Sequence, residues 1–233
     1  MTILLLVRHG RTTANASGIL AGRTPGVHLD DVGREQARLA GRRMAGITLA
    51  AEVSSPMERC LQTAEGIRAG RGDATTTAVT VEEALAEVDY GSWSGRTLKE
   101  LAGEELWRTV QAHPSAARFP EGESMVAMAQ RAVAAVRTHQ ERIADEAGAE
   151  AVWLAVSHGD IIKSVLADAL GLHLDHFQRL VVNPGSISVV RYTAARPYVL
   201  AMNTSSGELA DLVPSPAEAD EDAAVGGGAG PGK

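Results

Sequence analysis

The chain has 233 residues, 45% of them apolar and 22% charged, a balance that fits one folded domain with a sizeable core and argues against a disordered chain. Of the formal net charge of −7, residues 207–233 carry six acids against Lys233, which is −5, so the body holds only −2 with no basic stripe, and nucleic acid is not an expected partner. The single Cys60 cannot form an internal disulfide, no apolar run nears the roughly 20 residues of a membrane span, and a cytoplasmic protein is expected.

In chain order, "TILLLV" (2–7) is a short apolar run of the kind that forms a strand buried on both faces. "REQARLAGRRMAG" (34–46) sets Ala37, Ala40, Gly41 and Met44 on one helical face, with Asp30 and Asp31 as cap candidates and Gly46 as a stop. "LAAEVSS" (49–55) reads as a strand, and "PMERCLQTAEGIRAG" (56–70) as a helix with Pro56 in its first position. The Thr- and Val-rich stretch 75–81 predicts a third strand, followed by the chemistry-rich "LAEVDYGSWSG" (85–95). Residues 96–121 predict short helices over one end of the molecule, and 124–148 a long amphipathic helix with Val126, Ala129, Val133 and Val136 at helical spacing.

"AVWLAVSHGD" (151–160) repeats the opening pattern, an apolar strand that ends at a histidine followed by glycine. A helix over 161–171 and two strands, "SISVVRY" and "YVLAMN", complete the pattern. From residue 206 the acidic and "GGGAGPGK" composition predicts a disordered tail, so the expected division is one domain, 1–205, and a tail, 206–233. Strand and helix alternation predicts an α/β fold, three layers α/β/α with a largely parallel central sheet. Ligands of such sheets gather outside the carboxyl ends of the strands, where His9 and His158 fall.

Arg8 beside His9 points to an anion, because burying a guanidinium is costly unless negative charge answers it. Glycine after each histidine lets a ligand come close to the backbone. Arg59, near the start of a helix that follows a strand, points from the same edge of the sheet. Two arginines, two histidines and a helix N-terminus meeting there would make a phosphoryl site.

The motifs that carry these residues resemble the histidine phosphatase superfamily, also called the phosphoglycerate mutase-like family. "RHGRTTAN" (8–15) matches its RHGxTxxN signature, and "LAGRTPGVHLDDVGREQA" its following loop and helix. "SSPMERCLQTA" resembles SSPxxRxxQTA, "LAEVDYGSWSG" resembles LxExxFGxWEG, "FPEGES" a PxGES element, and "VSHGD" the second histidine motif. The resemblance implies that His9 is a nucleophile forming a phosphohistidine, and that Arg8, Arg59 and His158 hold the non-bridging oxygens. It implies that Glu87 is the general acid, and that Asn15 and the backbone at Gly22 make further substrate contacts. It implies a small phosphorylated metabolite as the partner and no cofactor.

Asp89 is a rival to Glu87, since on a strand the two would share a face, though motif position favours Glu87. Tyr90 and Trp93 are expected to pack and set the loop. His28, His113, His139, His173 and His176 are expected on the surface, Cys60 as a small buried hydrophobe, and Arg42 and Arg43 on a solvated helix face. A metal held by His9, His158, Glu87 and Asp160 is set aside, because Arg8 would repel the cation.

"EVDYGSWSG" resembles the phosphatase branch of the family, and the RHYG and RRSYDxPPP elements of glycolytic mutases are missing. A phosphomonoester hydrolase is therefore the expected activity. The alternatives are a phosphomutase, which shares the phosphohistidine step, and a non-catalytic phosphoryl-binding module. Loss of the nucleophile or acid would betray the last, and both residues are present.

Overall fold

Both faces of the opening strand, β1 (Thr2–Arg8), are covered, as its unbroken apolar run requires. The computed structural model describes residues 1–72 and 78–205. Leu4 and Leu6 pack on one side with Met128, Ala132 and Val136, while Leu5 and Val7 pack on the other with Ala40, Ala64 and Ile67. At about 1.5–3 kcal/mol for each fully buried Leu or Val, such a strand is anchored firmly enough to carry a costly polar tip.

β1 is the fourth strand in a sheet ordered β3-β2-β4-β1-β5-β6. The others are β2 (Leu49–Ser54), β3 (Val79–Val81), β4 (Val152–Ser157), β5 (Ile187–Tyr192) and β6 (Pro197–Thr204). β1 to β4 are mutually parallel, and the β5–β6 hairpin closes the sheet antiparallel to β1. Helices α2 (Asp31–Arg43) and α3 (Glu58–Arg71) cover one face. The other is covered by α6 (Met125–Ala147) and α7 (Gly159–Leu170). The remaining helices are α1 (Thr13–Ala16), α4 (Leu98–Leu101) and α5 (Glu105–Ala112). The three-layer α/β/α architecture with a largely parallel sheet is the one expected from the sequence. Among the described residues, no helix is long and apolar enough to cross a membrane.

The helix ends follow their local chemistry. Asp30 caps α2 by accepting from the Gly33 N–H at 2.7 Å, and Asp31 in the first turn and Arg42 and Arg43 in the last complement the helix dipole. Ser124 caps α6 by accepting from the Ala127 N–H at 3.2 Å. Pro56 is not in the first turn of α3 as expected: Met57 is the N-cap and Pro56 precedes it. The chain uses Ser55 to turn off β2, its hydroxyl accepting from the Met57 N–H at 3.3 Å, so the helix starts later. The third strand occupies only Val79–Val81, with residues 73–77 of that region outside the described part, as is the expected tail 206–233. The strand considered for Glu87 and Asp89 is absent; 3-10 turns at Glu83–Leu85 and Gly91–Trp93 flank them instead.

Helices α2 and α3 approach closely because glycines line the contact. A Cβ on Gly41 would fall inside the contact distance of the Ile67 carbonyl oxygen, and one on Gly70 would do the same to the Arg38 carbonyl. Helix propensity favours alanine over glycine by about 1 kcal/mol, whereas overpacking costs about 1–3 kcal/mol. With backbone on both sides the overlap has no flexible side chain to yield. Gly41→Ala is therefore expected to destabilise the fold by up to about 2 kcal/mol in urea unfolding; a stabilised variant would show that propensity outweighs the helix contact.

Candidate active site

The parallel register of β1 with β4 sets Arg8 opposite Ser157, so the residues that follow, His9 and His158, emerge side by side. The His9 N–H donates to the Ser157 carbonyl at 2.9 Å, carrying the pairing one step beyond the strand. The two imidazoles meet edge to face, with centroids 5.3 Å apart.

His9 is buried, and its Nδ1 lies 2.7 Å from the Gly10 carbonyl oxygen. Only a protonated Nδ1 can bond there, so the neutral ring carries its lone pair on Nε2. Burial, reinforced by the positive charges of Arg59 and Arg8, holds the imidazole pKa well below its ordinary value. The ring is therefore neutral at neutral pH, with Nε2 free of a proton. Gly10 can follow His9 because the turn runs against Gly33, where a Cβ would strike backbone.

Arg8 is 1% exposed and donates from Nη1 to the Val182 carbonyl at 2.8 Å. Burial pulls its pKa down to about 10, against the opposing influence of Glu87 and Asp160, so it stays charged at neutral pH. Arg59, buried in the first turn of α3, donates from Nη2 to the Gly22 carbonyl at 2.7 Å and approaches His158 Nδ1 at 3.2 Å. Its Nη1 is buried with no hydrogen-bond partner among the described residues. A buried, unmatched guanidinium N–H is costly, and an anionic oxygen is the group that relieves it.

His158 is fully buried at the start of α7. Its Nε2 lies 2.7 Å from Ser55 Oγ, at the end of β2. With Arg59 donating to Nδ1, the pattern assigns the proton to Nε2, which donates to Ser55. Burial and then Arg59 push this imidazole pKa well down too. Cys60 Sγ lies 3.5 Å from the same Nε2, and burial pushes its thiol up to about 12. As expected, Cys60 packs as a small hydrophobe.

Glu87 faces this group with Oε2 3.6 Å from His158 Nδ1, and its Oε1 accepts from the Val88 N–H at 3.0 Å. Burial first, and Asp160 second, raise its carboxyl to about 7 against the opposing Arg59. The spacing of Glu87 and His158 is that of an ion pair, yet both groups are shifted toward neutrality. Below about pH 7 the contact joins a carboxylic acid to a neutral imidazole. Asp89 does not compete: its Oδ1 accepts from the Gly91 N–H at 3.1 Å, which shapes the turn.

The loop that carries Glu87 is clamped by residues to which the sequence reading gave no role. Arg131 of α6 donates to the carbonyls of Ala84, Ala86 and Glu87 at 2.7, 2.8 and 3.1 Å. Arg23 donates to the Glu87 carbonyl at 2.8 Å, and Glu123 holds both guanidiniums and accepts from the Asp89 N–H at 2.9 Å. The available signal was "FPEGES", whose acid at position 123 stands eight residues before Arg131 on the adjoining helix.

Of the residues expected at the site, the fold gathers Arg8, His9, Arg59, Glu87 and His158. Gly22 serves here through its carbonyl, the mount for Arg59, at a φ of +53° where a Cβ would press on Ser94. The Asn15 side-chain oxygen accepts from the Thr12 N–H and hydroxyl, closing α1. His28, His113, His173 and His176 are exposed as expected. His139 is not: it is buried on the inner face of α6 and bonded to Glu82 at 2.9 Å. Among the described residues no group of three or more His, Cys, Asp or Glu could hold a metal ion.

Residues 4–205 match the family model of the histidine phosphatase superfamily (branch 1). The chain is 32% identical over 194 residues to the probable phosphoglycerate mutase GpmB of Yersinia pestis (strain Pestoides F), covering 82% of this chain and 86% of that one. Its structure is similar to YhfR of Bacillus stearothermophilus, with a TM-score of 0.79 at 27% identity over 88% of this chain and 98% of that one. A phosphoserine phosphatase from Entamoeba histolytica, solved with 3-phosphoglyceric acid, shares the fold at a TM-score of 0.75 and 23% identity, over 88% and 98% of the two chains.

The raised carboxyl of Glu87 makes a stability prediction. Between 4.5, its ordinary value, and about 7, the folded chain keeps a proton that the unfolded chain has released. Stability from this group is therefore lost as pH rises through that window, by on the order of 3 kcal/mol. Glutamine cannot ionise, so Glu87→Gln is expected to be more stable than the parent at alkaline pH and to converge with it toward acid pH. Urea unfolding at a series of pH values measures the difference; a variant less stable at alkaline pH would contradict the strained carboxylate.

Proposed function

The chain belongs to the histidine phosphatase superfamily, and from that premise we propose that it hydrolyses a phosphomonoester of a small metabolite through a phosphohistidine on His9. The observation that carries this reading is the His9 imidazole, fixed by Gly10 with Nε2 unprotonated, beside two buried arginines and a carboxyl poised at about 7.

Arg8, Arg59 and His158 hold the three non-bridging oxygens and offset their charge as the phosphoryl group transfers. Ser55 lets His158 take part: its hydroxyl can reverse and donate to Nε2, so that Nδ1 carries the proton toward an oxygen while Arg59 gives up its bond to Nδ1 and turns that N–H to the phosphoryl group. His9 Nε2 attacks phosphorus as the ester P–O bond breaks, and Glu87 gives its proton to the departing alkoxide. Water then passes a proton to the Glu87 carboxylate and attacks phosphorus, breaking the P–N bond and releasing inorganic phosphate. Glu87 and His9 return to their starting states. The motif positions of Asn15 and Gly22 support further substrate contacts there, and the Gly22 carbonyl already adjoins Arg59. The raised Glu87 carboxyl supports an acid role, which typically contributes about 10²–10⁴-fold.

The phosphatase reading is supported by "EVDYGSWSG" and by the absence of the mutase elements. The name carried by the Yersinia relative favours a second reading, transfer to another hydroxyl of the same substrate. Incubation with 3-phosphoglycerate, with and without its bisphosphorylated primer, separates the two: phosphate release supports hydrolysis, and isomer formation supports the mutase.

His9→Ala is expected to remove turnover of p-nitrophenyl phosphate and the acid-labile phosphoenzyme while the fold persists; activity surviving in that variant would remove His9 from the chemistry. Glu87→Gln should lower kcat/KM for an alkyl phosphate about 10²-fold or more and for an aryl phosphate far less, because kcat/KM reports the steps up to loss of the alcohol, and only the alkoxide needs the proton there. Equal losses for the two substrates would argue against the acid role. For the alkyl phosphate, kcat/KM should fall above about pH 7 as Glu87 ionises. The limb set by His9 protonation should lie well below the ordinary histidine range. Glu87→Gln should lose the alkaline limb, and its persistence would assign that limb to another group.

A further inference from the structure

Glu87 presents a difficulty that its own motif does not resolve. Arg8 at the tip of β1 and Arg59 on α3 both act on it electrostatically, Arg59 from its place against His158 Nδ1, and two buried guanidiniums favour an ionised carboxyl, which is the wrong state for an acid. The remaining groups around it are His158 at 3.6 Å, Arg23 and Arg131 at its carbonyl, and Glu123, bound to those two arginines. Beneath them lies a buried set to which the proposed reaction assigns no step. Asp160 stands in the first turn of α7, two residues after His158, and is fully buried. The Tyr90 hydroxyl, also fully buried, donates to Asp160 Oδ2 at 2.9 Å. Lys163, one turn along the helix and 2% exposed, brings its ammonium to 4.0 Å from Oδ1. That ammonium also donates to Gln178 at 2.9 Å and lies over the Phe177 ring.

We propose that Asp160, held between the Tyr90 hydroxyl and the Lys163 ammonium, is a positioning residue that keeps the transferable proton on Glu87. The inference rests on the general-acid role of Glu87 proposed above. Asp160 supplies the negative charge that offsets the two arginines at Glu87, and like charges buried together do not both form readily. Lys163, 4.0 Å from Asp160 Oδ1, is a counter-charge that weakens the influence of Asp160 at Glu87. The charges then balance: Lys163 answers Asp160, Glu87 stays neutral, and Arg8 and Arg59 are left to match a phosphoryl dianion. The influence of Asp160 on both Glu87 and Arg8 runs in the direction this requires.

Infrared spectroscopy of the full chain tests this without a substrate, by following the protonated-carboxyl band assigned to Glu87 through its loss in Glu87→Gln. Asp160→Asn is expected to lower the midpoint of that band by about one pH unit, and Lys163→Met to raise it. Opposite displacements are not the result of a general loosening of the site. Midpoints that stay in place, or that move together, overturn the proposal while leaving the acid role of Glu87 standing. A Glu87 band absent at every pH overturns both. Were Asp160→Asn unable to fold, Lys163→Met would decide alone, an unmoved or lowered midpoint counting against the proposal. As a kinetic arm, the alkaline limb of kcat/KM for glycerol phosphate should move with the band, whereas kcat/KM for p-nitrophenyl phosphate, whose leaving group needs no proton, should keep its value.

Discussion

The pairing of β1 with β4, in parallel and with Arg8 opposite Ser157, is the constraint on which the rest of the molecule depends. A parallel pair runs both chains to the same edge, so two histidines far apart in sequence leave the sheet at one level. Slipping the register by one residue would turn every side chain of β1 to the other face. Leu4 and Leu6 would leave the α6–α7 layer, and Leu5 and Val7 the α2–α3 layer. The apolar layers thus hold the histidines in place.

What the rigid edge supports is electrostatically unfavourable by itself. Two guanidiniums, two carboxyls and two imidazoles lie almost entirely out of water. The same burial decides their states: it drives both imidazoles to the neutral form and brings Glu87 to the boundary between acid and carboxylate. Arg8 and Arg59 remain to attract an anion. In the proposed reaction, affinity for a phosphoryl group and the proton inventory for its transfer come from one physical cause.

The loops are held as firmly as the strands, by directed hydrogen bonds where apolar contact is scarce. Glu58, Arg59 and Gln62, on the first turns of α3, bind the backbone of Gly26, Gly22 and Leu29, so one helix secures the loop along the rim. On the opposite side Arg131 and Glu123 fasten the turn that bears Glu87 to α6. Each uses a charged side chain to satisfy carbonyls or N–H groups that a loop would otherwise leave to water. Chemical groups on loops thereby gain the precision of groups on helices.

Much of this was written in the linear order of residues. The apolar runs at 2–7 and 151–157 specify strands buried on both faces, and the alternation with amphipathic helices specifies the layers, because these depend on local periodicity. Arg8, His9, Arg59, Glu87 and His158 stand in recognisable motifs for a similar reason: each is fixed by its own short segment. The partners of those groups were not legible. The assignment of His139 to the surface failed because a histidine on a helix carries no mark of which neighbour will cover it. The clamp of Arg131 on the Glu87 turn joins residues more than forty positions apart, and the contact of Tyr90 with Asp160 joins residues 70 apart. Sequence by itself therefore determined which elements form and which side chains the motifs single out. Only the tertiary structure decided their protonation and their company, since both depend on burial and on distances across the fold.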